Sequence, residues 1–179
     1  MKGEGLMATT LVTADWCRVM ARYNRWQNRA AVEAAGTLAP ELREADRGAF
    51  WGSIRGTLAH LLWADHVWMA RLDGWEAPGA ALAESGGFVT DWAELRSKRQ
   101  ITDARISRWA QALDDEALAG DLAWHSAAAG RAVTMPRAIC VMHMFNHQAH
   151  HRGQVHAMLT SAGVDPGPTD LFLMPDLVG

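Results

Sequence analysis

The stretch that decides the fold runs over residues 136–161, PRAICVMHMFNHQAHHRGQVHAMLTS. The proline at its head suits a first helical turn, Gly163 just past its end is a stop signal, and the spacing between them predicts one long helix. Five of the chain's eight histidines fall inside it. An α-helix turns by about 100° per residue, so with His147 at zero, His151 lies at about +40°, His143 at about −40°, His150 at about −60° and Gln154 at about −20°. His156 points to the opposite side. Four imidazoles therefore share one arc. Histidines at i and i+4 bring their ring nitrogens close enough to ligate one ion, and imidazole suits zinc, nickel, iron or copper. Spacing alone leaves two pairs open, His143 with His147 and His147 with His151.

Working outward, three more long helical segments are predicted. The first covers 13–37, opening where Thr13 and Asp15 offer capping oxygens; the second covers 52–72, with Ser53 as cap and Gly74 beyond its end; the third covers 91–113, headed by Asp91. Two short runs around a glycine-containing turn in 118–134 predict a β-hairpin. Residues 76–88, rich in Gly, Ala and Pro, read as a connecting loop. Residues 1–12 read as a flexible N-terminus. The tail, 164–179, is expected to pack on the helices through a short turn at 171–174. The tryptophans at 16, 26, 63, 68, 92 and 109 sit in helical segments and read as packing residues. The expected architecture is an all-α four-helix bundle, one domain over residues 1–179.

Composition narrows the partners. Hydrophobic residues make up 49% of the chain, ample for a sizeable core, and the formal net charge is −3. That balance offers no electrostatic reason to expect nucleic acid or an acidic membrane surface. No run approaches the ~20 apolar residues of a membrane-spanning helix, and the N-terminus does not read as a signal peptide. Cys17 and Cys140 lie in apolar helical stretches and read as buried thiols of a reducing compartment, with the cytoplasm as the expected location.

A metal site of this kind needs a ligand from elsewhere. His60, His66 and His125 are available. His60 and His66 are about 120° apart on the second segment, so they cannot both face one ion. His60 sits at the edge of an apolar stripe formed by Ile54, Leu58, Leu61, Leu62, Trp68, Met69 and Leu72, where a lone histidine reads more simply as a core residue. Asp65 projects from the middle of that stripe and must be paired if buried. Arg152 is its expected partner, tying the two helices together.

The segment GSIRGTLAHLLWADHVW (52–68), followed by NHQAHHRGQ (146–154), resembles the DinB (DinB/YfiT-like) family of metalloenzymes, and the opening YNRWQN (23–28) resembles that family's first helix. The likeness spans roughly residues 15–161. It implies that His60, His147 and His151 are the metal-binding histidines and makes His143 and His150 their near-neighbours; Gln154, Asp65 and Arg152 are further candidates for the surroundings of the site. It also implies a four-helix bundle with an unusual crossover order, a hairpin before the last helix, and frequent homodimers. Some members are transferases or isomerases that use a low-molecular-weight thiol such as mycothiol or bacillithiol. The expectation is a divalent ion, zinc or nickel, on three histidines, activating a thiol or water against a small electrophile. The alternative is a non-catalytic stress-response protein with a structural ion. His150 is the first choice for a proton-transfer group.

Overall fold

The computed structural model describes residues 11–127 and 129–175. Helix α1 spans Ala14–Gly36, and Thr13 caps it by accepting from the Trp16 N–H at 3.1 Å. A short helix, α2, follows at Pro40–Glu44. Helix α3 spans Ile54–Asp73; Ser53 Oγ accepts from the Gly56 N–H at 3.0 Å, and Gly74 ends the helix in the left-handed region at φ 65°. Helix α4 spans Trp92–Ala112 with Asp91 as its cap, and α5 spans Arg137–Ser161 behind Pro136. The long-helix boundaries thus fall where the capping residues put them.

Helix α1 packs on α4 and α5, and α3 packs on the same two, so α1 and α3 sit diagonally across the bundle. Two antiparallel strands, β1 (Asp121–Ser126) and β2 (Arg131–Pro136), pair in register from Asp121 opposite Pro136 to Ser126 opposite Arg131. The hairpin turns Leu122, Trp124 and Ser126 toward the bundle. No helix among the described residues is long and apolar enough to cross a membrane. Cys17 and Cys140 are buried free thiols.

Three local expectations change. The 76–88 stretch is not all loop, because Leu82–Gly87 forms a 3-10 turn. The tail forms its short turn at Leu171–Leu173 and buries Met174, but Leu171, Phe172 and Leu173 face solvent, and polar anchors are added, with Tyr23 donating to the Thr169 carbonyl at 2.6 Å and Gln27 to the Pro168 carbonyl at 3.0 Å. Of the stretch read as a flexible N-terminus, residues 1–10 lie outside the described residues, and Val12 is buried.

The core has two apolar halves. One centres on Cys17, Met69, Ile106, Trp109, Val141 and Phe145, the other on Val32, Leu58, Leu62, Leu95, Val155 and Leu159. Between them lies a closed ring of six buried polar side chains drawn from all four long helices. Asp65 pairs with Arg99 at 2.6 Å, and Arg99 with Asp103 at 2.7 Å. Asn28 donates to Asp103 at 2.9 Å and accepts from Arg152 at 3.3 Å. Arg152 donates to Gln148 at 3.3 Å, and Gln148 donates to Asp65, closing the ring. Two carboxylates against two guanidiniums leave it neutral. The expected Asp65–Arg152 pair is therefore corrected. Arg99 takes the carboxylate, and the Gln148 amide stands between Asp65 and Arg152 because it can serve an acceptor and a donor at once.

Removing one member strands the others in a buried layer. Asp65→Ala leaves Arg99 and Gln148 short of an acceptor, at a cost of about 3–5 kcal/mol. The expected fall in Tm, read by circular dichroism, is about 6–20 °C.

Candidate metal centre

Helix geometry carries His147 and His151 one turn apart on α5, and α3 brings His60 against them. The ring centroids of His60 lie 5.2 Å from those of His147 and 4.6 Å from those of His151, with 4.4 Å between the latter two. One nitrogen from each ring lies within 4.8 Å of the others. His60 and His151 are buried and His147 is half-buried.

Hydrogen bonds fix which nitrogens are free. Ser85 Oγ donates its single proton to the Leu82 carbonyl at 2.7 Å, so toward His60 Nδ1, at 2.8 Å, it accepts. His60 is therefore protonated on Nδ1 and carries a bare lone pair on Nε2. His151 Nδ1 faces the Gln154 carbonyl oxygen at 2.7 Å, which only accepts, so His151 adopts the same tautomer. His60 Nε2 stands 3.3 Å from His147 Nε2. Two tetrahedral zinc–nitrogen bonds would set their nitrogens about 3.3 Å apart. Burial first, and the neighbouring imidazoles second, push His60 and His147 down to about 3; burial also lowers His151. All three stay neutral at physiological pH, as ligands must be. Three neutral imidazoles fit a transition-metal ion and leave one tetrahedral position for another ligand.

Other predicted residues are placed as follows. His143 packs its ring on Trp68 at 4.8 Å and lies 5.8 Å from His147. His150 is exposed, edge-on to His151 at 4.8 Å, with Gln154 Nε2 3.4 Å from its Nε2. His66 turns away to Thr102. Asp65 and Arg152 belong to the buried ring and do not join the cluster.

Two contributors were not anticipated from the sequence. Ser85 sits in the stretch read as loop. Trp51 stacks on His60, centroids 4.2 Å apart and planes 22° from parallel. Its seat depends on glycine: a Cβ at position 56 would stand 2.6 Å from the Trp51 carbonyl oxygen.

His60 and His147 form one end of a cavity of about 520 Å³ between α3, α5 and the hairpin. Trp63, Val67, Trp68 and Trp124 wall it, so these tryptophans shape a binding space as well as pack. His143 lines it; His150 does not.

The family model described as DinB family matches residues 7–177. Protein DinB of Bacillus subtilis (strain 168) is 26% identical over 162 residues, which cover 89% of this chain and 94% of that protein. The crystal structure of a DinB-like protein from Bacillus cereus ATCC 10987 matches with a TM-score of 0.59 over 80% of this chain and 90% of that one; at 18% identity this is a likeness of fold alone.

The Ser85 contact makes a measurable demand. Ser85→Ala removes the acceptor that orients His60, and zinc affinity is expected to fall about 10- to 100-fold in a chelator competition. His151→Ala should abolish stoichiometric binding, with helicity retained in both variants.

Proposed function

We propose that this chain, which belongs to the DinB family, is a metal-dependent enzyme that activates a low-molecular-weight thiol or water against a small electrophile. The observation that carries this reading is the convergence of three histidine nitrogens, two with their tautomer fixed from behind, with His60 and His147 of the three lining an apolar cavity. An ion held there, zinc or nickel, would supply Lewis acidity and lower the pKa of a thiol or water toward neutrality.

The protein's own groups do the rest. His60, His147 and His151 hold the charge, while Ser85 and Gln154 keep the rings from turning. Trp63, Trp68 and Val67 exclude bulk water from the reacting end, which strengthens every electrostatic contact there. His143 is the cavity-lining imidazole beside His147, and so the group placed to take the proton released on activation.

A purely structural ion is the weaker reading. Such an ion would serve to fasten α3 to α5, yet Gln148 already bonds both Asp65 and the Leu61 carbonyl of α3.

Elemental analysis of untagged protein should find about one transition-metal ion per chain, given one three-histidine site. A panel of thiols against electrophiles should then turn over, with activity lost in His151→Ala. His143→Gln should keep its metal and lose about 100-fold or more in kcat. A loaded protein with no turnover of thiol or hydrolytic substrates, whose bundle melts on chelation, would overturn the reading.

A further inference from the structure

The far end of the cavity carries a cation that no described residue pairs. Arg71 is eleven residues after His60 on α3, which returns it to within about 20° of the same helix face, some 16 Å further along the axis. Its guanidinium lies 4.7 Å from the Trp68 ring centroid and 5.2 Å from that of Trp124, and it lines the cavity with Met135 and Ile139. It makes no hydrogen bond or ion pair with any described residue.

Three arginines elsewhere in the fold are paired, and Arg105, which lies over Trp75 at 3.7 Å, lines no part of this cavity. Arg55 bonds Glu44 and the Gly86 and Val89 carbonyls, Arg18 bonds Asp15 and the Leu113 carbonyl, and Arg99 is held by two carboxylates. Capping does not account for Arg71 either, because the Leu72 carbonyl at the end of α3 is taken by Arg137 at 3.1 Å. A half-buried guanidinium that bonds no described residue, set against two indole rings in an apolar wall, is placed to receive a planar oxyanion in exchange for solvent.

We infer that Arg71 is the anion-binding end of this cavity, and that its ligand is an elongated small molecule with an apolar body and a terminal carboxylate. The inference deepens the proposed function by giving the ligand a chemical class: the carboxylate seats on Arg71 while the apolar body runs toward the histidines.

The test does not need the metal. On metal-free protein, calorimetric titration with 4-phenylbutanoate and with 4-phenylbutan-1-ol compares two ligands that differ only at the terminal group. The acid should bind about 10- to 100-fold more tightly than the alcohol, as a charge-assisted pair would give. Arg71→Leu should abolish that preference while leaving alcohol binding intact, and Arg71→Lys should keep part of it because the charge survives without the fork. Equal affinity for acid and alcohol in the native protein, or a preference that persists in Arg71→Leu, overturns the inference. Loss of alcohol binding together with helicity would mark Arg71→Leu as misfolded, and Arg71→Lys against the native protein then decides. Because no arm of the titration contains metal, failure of the histidine site leaves its result standing. In loaded protein, pairing thiols with and without a carboxylate against electrophiles with and without one identifies which reactant carries the group: the preference that vanishes in Arg71→Leu marks it.

Discussion

The closed ring of Asn28, Asp65, Arg99, Asp103, Gln148 and Arg152 is the constraint on which the rest of this structure depends. Apolar packing alone tolerates a helix that rotates or slides by a fraction of a turn, because one hydrophobic contact can replace another. A ring of buried charges does not, since each displaced member loses a partner it cannot regain from water. The ring therefore fixes the rotation and the register of all four long helices at the layer where the core divides. Burial raises the Asp103 carboxyl while Arg99 and Asn28 pull it back, and Arg152 is lowered only to about 10, so its charge persists at neutral pH.

From that rotation the metal centre follows. On α5, Gln148 and Arg152 point about 100–140° away from His147, into the seam with Val141, Phe145, Val155 and Leu159. On α3, Asp65 points about 140° away from His60. Each helix thus carries two stripes, one locked into the core and one facing the cavity. Once the core stripes are bonded to each other, the His60 stripe and the His147 and His151 stripe must meet along the adjoining edge. The cluster is assembled by contacts that none of its members makes.

This division also explains what could be read from the sequence. The long helices were legible because their caps are local chemistry: Thr13, Ser53 and Asp91 each bond an N–H three residues on. The histidine face of α5 was legible from angular spacing, but the choice between His143 and His151 came only with the family resemblance, because spacing cannot show where α3 lies. His60 looked like a core residue and is one by burial; its partners, not its position on the helix, set it apart. Arg99 was missed as the partner of Asp65 because nothing in α4 marks which arginine turns inward. Gln148 left a trace that could have been read, as a polar residue on the 141, 145, 148, 152, 155, 159 seam. Ser85 left none: a serine in a Gly- and Ala-rich stretch becomes significant only when the 3-10 turn carries it to His60.

The same architecture separates stability from chemistry. The ring and the two apolar halves lie on the inner stripes, so the outer stripes can hold groups that packing would otherwise reject: neutral imidazoles with bare lone pairs at one end, and at the other a guanidinium with no carboxylate partner among the described residues. An arginine left without a carboxylate in the core seam would cost several kcal/mol. On the cavity wall, half-exposed between Trp68 and Trp124, that cost falls because the indole faces offset part of the lost hydration. Evolution of a new ligand preference on this frame would then proceed through the outer stripe and the hairpin, where Trp124, Val133 and Met135 close the cavity without touching the ring. Changes there alter what is held opposite the histidines while the helices that position them stay in register.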